Sequence, residues 1–346
     1  MTATPAGQSG ECIVLAHGGG GELMGSLIRE RLLPHLKNER LIELGDGAIV
    51  PWSGENLVLT TDSYVITPLE FPGGDIGRLA VAGTVNDLAV MGAIPQSLTL
   101  GLILEEGLPL GVLDRVVASI AATAREADVE IVTGDTKVVE RGSGTRPAQM
   151  FINTAGIGRL RQEVRLGLER VEAGDAVFVT GRIAEHGLAI MSVRNGLEFE
   201  STLRSDVAPL NTLVAALLDC GADVKFLRDP TRAGVAGVLA DISEGRNLTI
   251  EVDESQIPLS RTARHAAEML GLDPLTVANE GKVLGVVAAR DAGRLLKACR
   301  SHPLGRDAAA IGRVLDHQPA LVELVTRAAG RRIVQRPYGE ELPRIC

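Results

Sequence analysis

Aromatic residues are scarce in this 346-residue chain, at 2% of the sequence. A protein with so few rings has little material for base-stacking platforms or aromatic cages. Basic residues are also in deficit, with 35 Lys and Arg against 44 Asp and Glu and a formal net charge of -9. This balance argues against a general nucleic-acid or anionic-membrane surface. We therefore expect no nucleic-acid partner and no membrane partner.

Long hydrophobic runs and paired cysteines are missing too. No apolar stretch approaches the roughly 18 residues of a membrane span. The apolar run at 12–16 is too short for a signal-peptide core and follows no basic region. The four cysteines form no C-x-x-C pair and have no His at ligand spacing. A zinc site or a disulfide framework is not expected, and the pattern favours a cytoplasmic protein.

Strand-like and helix-like segments alternate along the chain, which predicts an α/β (α+β) fold with two domains. A Gly-rich segment and a helix occupy residues 1–42, and the first α/β domain spans 43–159. A charged linker follows at 160–174, and a second α/β domain spans 175–326. Residues 327–346 contain two prolines, two glycines and five arginines. Their weak periodicity predicts an extended, mobile tail.

A glycine run, His17 to Gly21, precedes a predicted helix. Successive backbone N–H groups in such a loop suit phosphate oxygens, although a flexible hinge is an equally simple interpretation. The chain contains no Walker A sequence.

Aspartates fall repeatedly beside glycines or at strand ends. The set is Asp46, Asp62, Asp87, Asp135 and Asp229. Asp87 is the most unusual, because its helix RLAVAGTVNDLAVMGA is apolar nearly all round and should be buried. A buried carboxylate needs a cation or a donor. Any single Asp is more simply a cap or a turn residue, but converging carboxylates suit Mg²⁺ shared with substrate phosphates.

Two further charged residues have unusual positions. Lys137 is one of only five lysines and follows Asp135 within a β-branched strand. A Lys near nucleotide phosphates would neutralise transferring charge, although a surface Lys is the plainer interpretation. Glu280 stands in a Gly turn just before an apolar strand, where ordinary turn chemistry is the alternative. His186, in TGRIAEHGLAI, is interpreted as structural.

The last residue, Cys346, follows a stretch with few packing signals. A terminal thiol can carry a covalent group on a movable arm, whereas an incidental exposed Cys is the alternative. A prenylation box is excluded because no residues follow it. The adjoining terminal carboxylate disfavours a thiolate, so we expect a cation nearby when the group is loaded.

Together these features resemble the HypE family of hydrogenase maturation factors, within the superfamily of aminoimidazole-ribonucleotide (AIR) synthetase and selenophosphate synthetase. NDLAVMGA and GDTK indicate only the superfamily, whereas FPGGDIG and the terminal PRIC are specific to the HypE family. The matching segments are AHGGGGELM, TTDSYVITPLEFPGGDIGRLAVAGTVNDLAVMGAIP, EEGLPL, IVTGDTKVVERG, INTAGIG, RDPTRAGV, VANEGKV, SHPLGRDAAAIG and PRIC.

The resemblance implies that a carbamoyl group is loaded onto Cys346 by the carbamoyltransferase HypF. ATP, with Mg²⁺, then drives dehydration of this S-carboxamide to an S-cyanate (thiocyanate). The cyano group passes to iron held by a HypC–HypD complex and becomes a ligand in [NiFe]-hydrogenase. The implied fold has two AIR-synthetase-like domains, with a homodimer formed through the first.

The implied roles distribute over the residues already named. The five aspartates would surround Mg-ATP, with Asn86 and Thr136 as polar companions and Gly18, Gly19 and Gly20 in the phosphate loop. Lys137 would be the phosphate cation or a proton relay. Glu280 is the first candidate for the base, and His17 is the second.

Two rival hypotheses remain open. A small-molecule ATP-dependent kinase or synthetase of the same fold would use the aspartates but would not need Cys346. A non-catalytic carbamoyl or cyano carrier would need Cys346 but not the aspartates and Lys137.

Overall fold

Five antiparallel and parallel strands form the sheet of the first α/β unit, in the order β1-β2-β7-β5-β6. The computed structural model describes residues 21–36, 38–142, 146–197, 203–339 and 345–346. The strands of this unit are β1 (Ala48–Trp52), β2 (Glu55–Tyr64), β3 (Glu70–Phe71), β4 (Gly74–Asp75), β5 (Ala93–Glu105), β6 (Glu130–Val139) and β7 (Met150–Leu160). Its helices are α1 (Glu22–Leu27), α2 (Leu33–Leu36), α3 (Ile76–Val90) and α4 (Leu110–Glu126). Strands β3 and β4 form a separate hairpin.

Helix α3 is the buried element that joins the two units. Its N-terminus is capped by Asp75, whose Oδ1 accepts hydrogen bonds from the N–H groups of Gly77 and Arg78 at 2.7 and 2.9 Å. The helix packs on β2, β5 and β7 and also meets a helix of the second unit. Thirteen of its 15 residues are buried. The prediction that this helix is buried is confirmed, because it is covered from both sides.

A seven-stranded sheet carries the second unit, in the order β14-β13-β10-β12-β8-β11-β9. Its strands are β8 (Ala176–Val179), β9 (Val224–Arg228), β10 (Thr249–Asp253), β11 (Leu284–Val287), β12 (Ala309–Leu315), β13 (Val322–Val325) and β14 (Arg331–Ile333). Its helices are α5 (Glu185–Arg194), α6 (Asn211–Asp219), α7 (Gly234–Arg246), α8 (Arg261–Leu270) and α9 (Ala292–Ser301). One hydrophobic cluster runs through both units. The α/β (α+β) prediction is confirmed, and in the part of the chain that is described no helix is long and apolar enough to cross a membrane.

The C-terminal region differs from the tail predicted over 327–346. Strand β14 pairs antiparallel with β13, and the N–H of Val334 donates to the carbonyl of Val322 at 2.8 Å. Arg331 forms ion pairs with Glu251 and Glu323 at 2.8 and 2.7 Å. These partners lie on other strands, so local periodicity could not reveal them. The hairpin therefore extends the second domain beyond residue 326.

Strand β6 is the exposed edge of the five-stranded sheet. Val132 and Val138 on it are 57% and 70% exposed. The sheet face opposite α3 is also apolar and open, with Leu59 paired to Ile157 and both about 40% exposed. An apolar face of this kind is suited to a protein partner.

Candidate active site

A cavity between the two units contains five of the predicted site residues. Strand β2, helix α3, the loop after β9, the turn before β11 and the chain end all contribute to it. The lining residues are Asp62, Ser63, Tyr64, Gly83, Asp87, Asp229, Thr231, Arg232, Glu280 and Cys346. The structure thus brings three predicted aspartates, the predicted base and the predicted carrier cysteine together.

Thr60 links two of the aspartates at one end of this cavity. Its Oγ1 lies 2.8 Å from the backbone carbonyl of Asp46 and 2.8 Å from Oδ2 of Asp87. A hydroxyl has one proton, and a carbonyl can only accept. If Thr60 donates to Asp46, the contact with Asp87 needs a proton on that carboxyl. The geometry therefore favours protonated Asp87 when no cation is bound.

Burial and mutual repulsion act on the acidic groups in the same direction. Burial, and then the charges of Asp62 and Asp229, raise the pKa of Asp87 well above its usual range. Burial also raises the pKa of Asp229 and Glu280 strongly, with further contributions from neighbouring aspartates. Ionisation of these groups is disfavoured because they are buried and the cavity carries more acids than cations. A bound cation would favour their ionised forms.

Asp46 is neutralised from the other unit. The guanidinium of Arg228, at the end of β9, lies 3.0 Å from Asp46 and 2.9 Å from Asp241. Burial raises the pKa of Asp46, and the Arg228 charge opposes that effect. Asp46 lies beside the cavity, one hydroxyl away from Asp87, and its assignment to a metal stays a prediction.

The turn that carries Glu280 is held by the side-chain carboxylate of Asp206. Asp206 accepts hydrogen bonds from the N–H groups of Glu280 and Gly281, both at 3.2 Å. A Cβ at Gly281 would lie 1.8 Å from the carbonyl oxygen of Asp206, so only glycine fits this approach. Oε1 of Glu280 is buried and has no hydrogen-bond partner among the residues that the structure describes. An unpaired buried acceptor in a cavity is a group that awaits a donor.

The chain end is seated inside the same cavity. The N–H of Val65 donates to the backbone oxygen of Cys346 at 3.1 Å. Nε2 of His186 lies 2.8 Å from the carbonyl oxygen of Ile345. The Ile345 side chain is 3% exposed and belongs to the core cluster. The tail predicted to be mobile therefore has a defined inward position for its last two residues.

Arg232 supplies the cation expected near the terminal cysteine. It lies in the loop between β9 and α7 and lines the cavity with Cys346. The negative charge of Cys346 is the first cause that raises the pKa of Arg232, followed, after the opposing effect of burial, by the charges of Asp62 and Glu280. Arg232 is the one cation among the described lining residues.

Asn86 has a different position from that predicted. It is fully buried, its Oδ1 accepts from the N–H of Leu210 at 2.7 Å, and its Nδ2 donates to the carbonyl of Ala208 at 3.1 Å. Its amide is thus used in joining α3 to the second unit, beside the backbone of Glu280. A direct contact with ATP stays a prediction.

Asp135, Thr136 and Lys137 lie on edge strand β6, away from this cavity in a single chain. Strand register places Asp135 level with Ser63, one residue beyond Asp62, so the two aspartates face opposite sides of the sheet. Lys137 lies 2.7 Å from Asp135, and both side chains are about two-thirds exposed. Lys137 lowers the pKa of Asp135. Thr136 donates its N–H to Asp135 at 2.9 Å.

The remaining predicted residues lie outside the described part of the chain. These are His17, Gly18, Gly19 and Gly20. Within the described residues, no three His, Cys, Asp or Glu groups meet closely enough to hold a metal by themselves. A metal would need further ligands from a bound phosphate.

Sequence reasoning missed Arg232 and Val65 as site residues, and it interpreted His186 as structural. Arg232 stands in the segment RDPTRAGV, two residues beyond Pro230, which was a detectable signal. His186 and Val65 act on a chain end about 160 and 280 residues away, and no local pattern indicates such contacts.

Two family models match the chain: "AIR synthase related protein, N-terminal domain" over residues 44–160 and the corresponding C-terminal domain over residues 172–322. With the acidic cavity between the two units, these matches define the protein as a member of the AIR-synthase-related class.

More specific relatives narrow the class. Carbamoyl dehydratase HypE of Azotobacter vinelandii is 46% identical over 334 residues, covering 96% of this chain and 97% of the relative. The solved HypE–HypF complex contains a chain that is 45% identical, with a TM-score of 0.84 and coverage of 90% and 100%. HypE in complex with ATP is 42% identical, with a TM-score of 0.80 and coverage of 97% and 100%. The chain belongs to the HypE family.

Proposed function

We propose that this chain is an ATP-dependent carbamoyl dehydratase that converts an S-carboxamide on its own Cys346 into an S-cyanate. One observation carries the proposal: the terminal cysteine lies inside a cavity lined by Asp62, Asp87, Asp229 and Glu280. A HypE relative is named for this dehydration, and another has been solved with ATP. The supplied cyano group would serve [NiFe]-hydrogenase maturation.

The chemistry balances as R–S–C(O)NH₂ plus ATP giving R–S–CN, ADP, phosphate and a proton. The carboxamide oxygen attacks the γ-phosphorus and leaves as phosphate, while the nitrogen loses both of its protons. Glu280 is suited to receive a proton, because the burial that raises its pKa makes the ionised carboxylate a stronger base. Arg232 would balance negative charge that develops next to Cys346.

The acidic residues fit a magnesium ion shared with nucleotide phosphates. Asp62, Asp87 and Asp229 line one cavity, and Thr60 has one proton for two acceptors. Mg²⁺ binds through one or two carboxylates plus phosphates and would supply charge neutralisation there. Residues 17–20 remain the candidate phosphate loop.

In a homodimer, Lys137 and Asp135 of one chain would reach the acidic cavity of the second copy. They lie on the sheet face that carries exposed Leu59 and Ile157, where a second copy would cover apolar surface. Light scattering should give about twice 36.4 kDa. Ile157→Asp on that face should shift that mass toward the monomer, whereas a monomeric wild-type protein at micromolar concentration would overturn the dimer.

The proposed protein partners are those of the HypE family. We propose HypF as the carbamoyl donor protein, since a HypE chain has been solved in complex with it. A HypC–HypD complex is the proposed acceptor of the cyano group. All of these exchanges would take place in the cytoplasm.

The deciding experiment loads the full-length protein with HypF and carbamoyl phosphate and then adds Mg-ATP. Mass spectrometry of the C-terminal peptide should show the carbamoyl group on Cys346, followed by the loss of one water. Cys346→Ala should abolish loading while ATP still binds, and Cys220→Ala is the matched control. A label on another cysteine would overturn the proposal. Loading without ATP-dependent water loss would favour the non-catalytic carrier, and ATP turnover that is independent of loading would favour a small-molecule kinase.

A further inference from the structure

His186 lies at the centre of a closed hydrogen-bond chain that ends on the C-terminal dipeptide. It is fully buried on α5, and its ring packs edge-on against Phe71 of the first unit, with 5.6 Å between ring centroids. Nδ1 lies 2.7 Å from Oγ of Ser205, and Nε2 lies 2.8 Å from the carbonyl oxygen of Ile345. Both ring nitrogens are therefore in use.

The hydrogen-bond partners of His186 allow only one tautomer of its imidazole ring. The Ile345 carbonyl can only accept, so Nε2 of His186 must carry a proton and donate it. Ser205 Oγ accepts from the N–H of Val207 at 3.1 Å, which leaves its hydroxyl proton for Nδ1. The imidazole is then neutral, in agreement with the burial that lowers its pKa. Every donor in the chain has an acceptor only while the tail is seated.

Three contacts hold the last two residues in place. His186 holds the Ile345 carbonyl, the core encloses the Ile345 side chain, and the Val65 N–H holds the Cys346 oxygen. Val65 and His186 belong to different units. A chain end held from both sides is placed at a defined depth among the groups that line the cavity.

We propose that His186 is the positioning residue that seats the C-terminal cysteine for reaction, by donating its Nε2 proton to the Ile345 carbonyl in the tautomer imposed by Ser205. This inference rests on the proposed function for its catalytic consequence, but the seating itself is independent of ATP and of carbamoylation. When the tail leaves to meet a partner, a buried N–H donor loses its acceptor, which favours the return of the tail.

The test measures the fraction of molecules in which the C-terminal tail is released from the cavity. Carboxypeptidase Y removes Cys346 only from the released tail, so intact-mass spectrometry follows the released population. His186→Phe keeps a ring against Phe71 but removes both nitrogens, and we expect about tenfold faster loss of Cys346, equivalent to about 1.4 kcal/mol. The buried thiol of Cys299 must stay unreactive toward iodoacetamide, which confirms that the variant is folded.

The variants His186→Gln and His186→Asn distinguish a specific role in holding the chain end from a general effect on the fold. His186→Gln can present a donor near the Nε2 position, whereas the shorter Asn of His186→Asn reaches only the Nδ1 position. Gln should restore most of the protection and Asn should not. Equal release rates in the Gln and Asn variants, or in the Phe variant and wild type, would overturn the inference. If His186→Phe does not fold, the Gln and Asn pair decides alone.

A second readout follows the reaction. In carbamoyl-loaded protein, His186→Phe should slow water loss at Cys346 several-fold with the KM for ATP unchanged. An unchanged rate of water loss together with faster tail release would overturn the catalytic role. If wild type itself shows no dehydration while His186→Phe still releases its tail faster, the proposed function fails and the seating role stands.

Discussion

The acidic cavity and the exposed Asp135–Lys137 pair on β6 shift the pKa of aspartate in opposite directions. In the cavity, burial and neighbouring carboxylates raise the pKa values of Asp87 and Asp229. On β6, Asp135 faces solvent and Lys137, and its pKa falls. Buried acids are costly to ionise unless a metal neutralises them, whereas ionisation of a solvated pair carries little such cost. Sequence reasoning had placed all of these residues in one site.

The difference supports different proposals for the two regions, a ligand for the cavity and a second chain for β6. The cavity contains an orphaned Glu280 oxygen and one hydroxyl proton for two acceptors. On β6, Lys137 and Asp135 neutralise each other, and they lie on an exposed edge strand of the sheet. We infer that ligand binding completes the first region and that dimerisation completes the second.

The largest effect is expected from Glu280→Gln. Removal of the base should slow dehydration by about 10²- to 10⁴-fold while carbamoyl loading of Cys346 continues. Glu130→Gln at the start of β6 is the same chemical change at an exposed position and should have no such effect. Mass spectrometry of the C-terminal peptide measures both variants. Rapid conversion by Glu280→Gln would remove Glu280 from the mechanism.

A mixed dimer tests whether Lys137 acts across the interface. Lys137→Ala alone should slow dehydration by about 10²- to 10³-fold. A dimer of one Lys137→Ala chain and one Glu280→Gln chain, isolated with two different tags, should regain one working site of two if the residues come from different chains. Turnover per dimer should then approach half of the wild-type value. A mixed dimer as inactive as its parents would place Lys137 in the same chain or outside the site.

Asp87→Asn should separate affinity from stability. We expect the affinity for Mg-ATP to fall about tenfold or more by calorimetry. The same variant without ligand should gain about 1 kcal/mol in free energy of unfolding, because a repelled acid is removed. Asp135→Asn is the control on β6 and should not raise the melting temperature of the ligand-free protein. Unaltered Mg-ATP affinity in Asp87→Asn would contradict the assignment.

The smallest effect is the pH dependence of ligand-free stability. Asp87, Asp229 and Glu280 have folded-state pKa values above those of the unfolded chain. Their contribution is fully present below the usual acid range near pH 4 and is lost as pH rises through the raised values. Melting temperatures should therefore decline from pH 5 to pH 8, and less so with saturating Mg-ATP. Asp135 has the opposite sign, since its lowered pKa contributes stability that is lost as pH falls.

Much of the fold was accessible from local patterns. The all-round apolar helix was correctly predicted to be buried, as α3. Helix α5 was missed, as were the short strands β13 and β14. Helix α5 begins after Ala184 in a left-handed conformation (φ +70°), supported by a hydrogen bond from its N–H to Asn279. That support lies 95 residues away in sequence, so no start signal is visible locally.

By itself the sequence determined the α/β class and the burial of the NDLAVMGA helix, and it predicted carboxylates and Cys346 as chemical groups of the site. These follow from composition, periodicity and chain order, which are local properties. Only the tertiary structure decided that Asp87 shares a hydroxyl with Asp46, that Asp135 faces the other side of the sheet, and that His186 holds the chain end. Strand register and the packing of two units set these contacts, because each depends on distances between residues far apart in the chain, and local sequence patterns do not encode them.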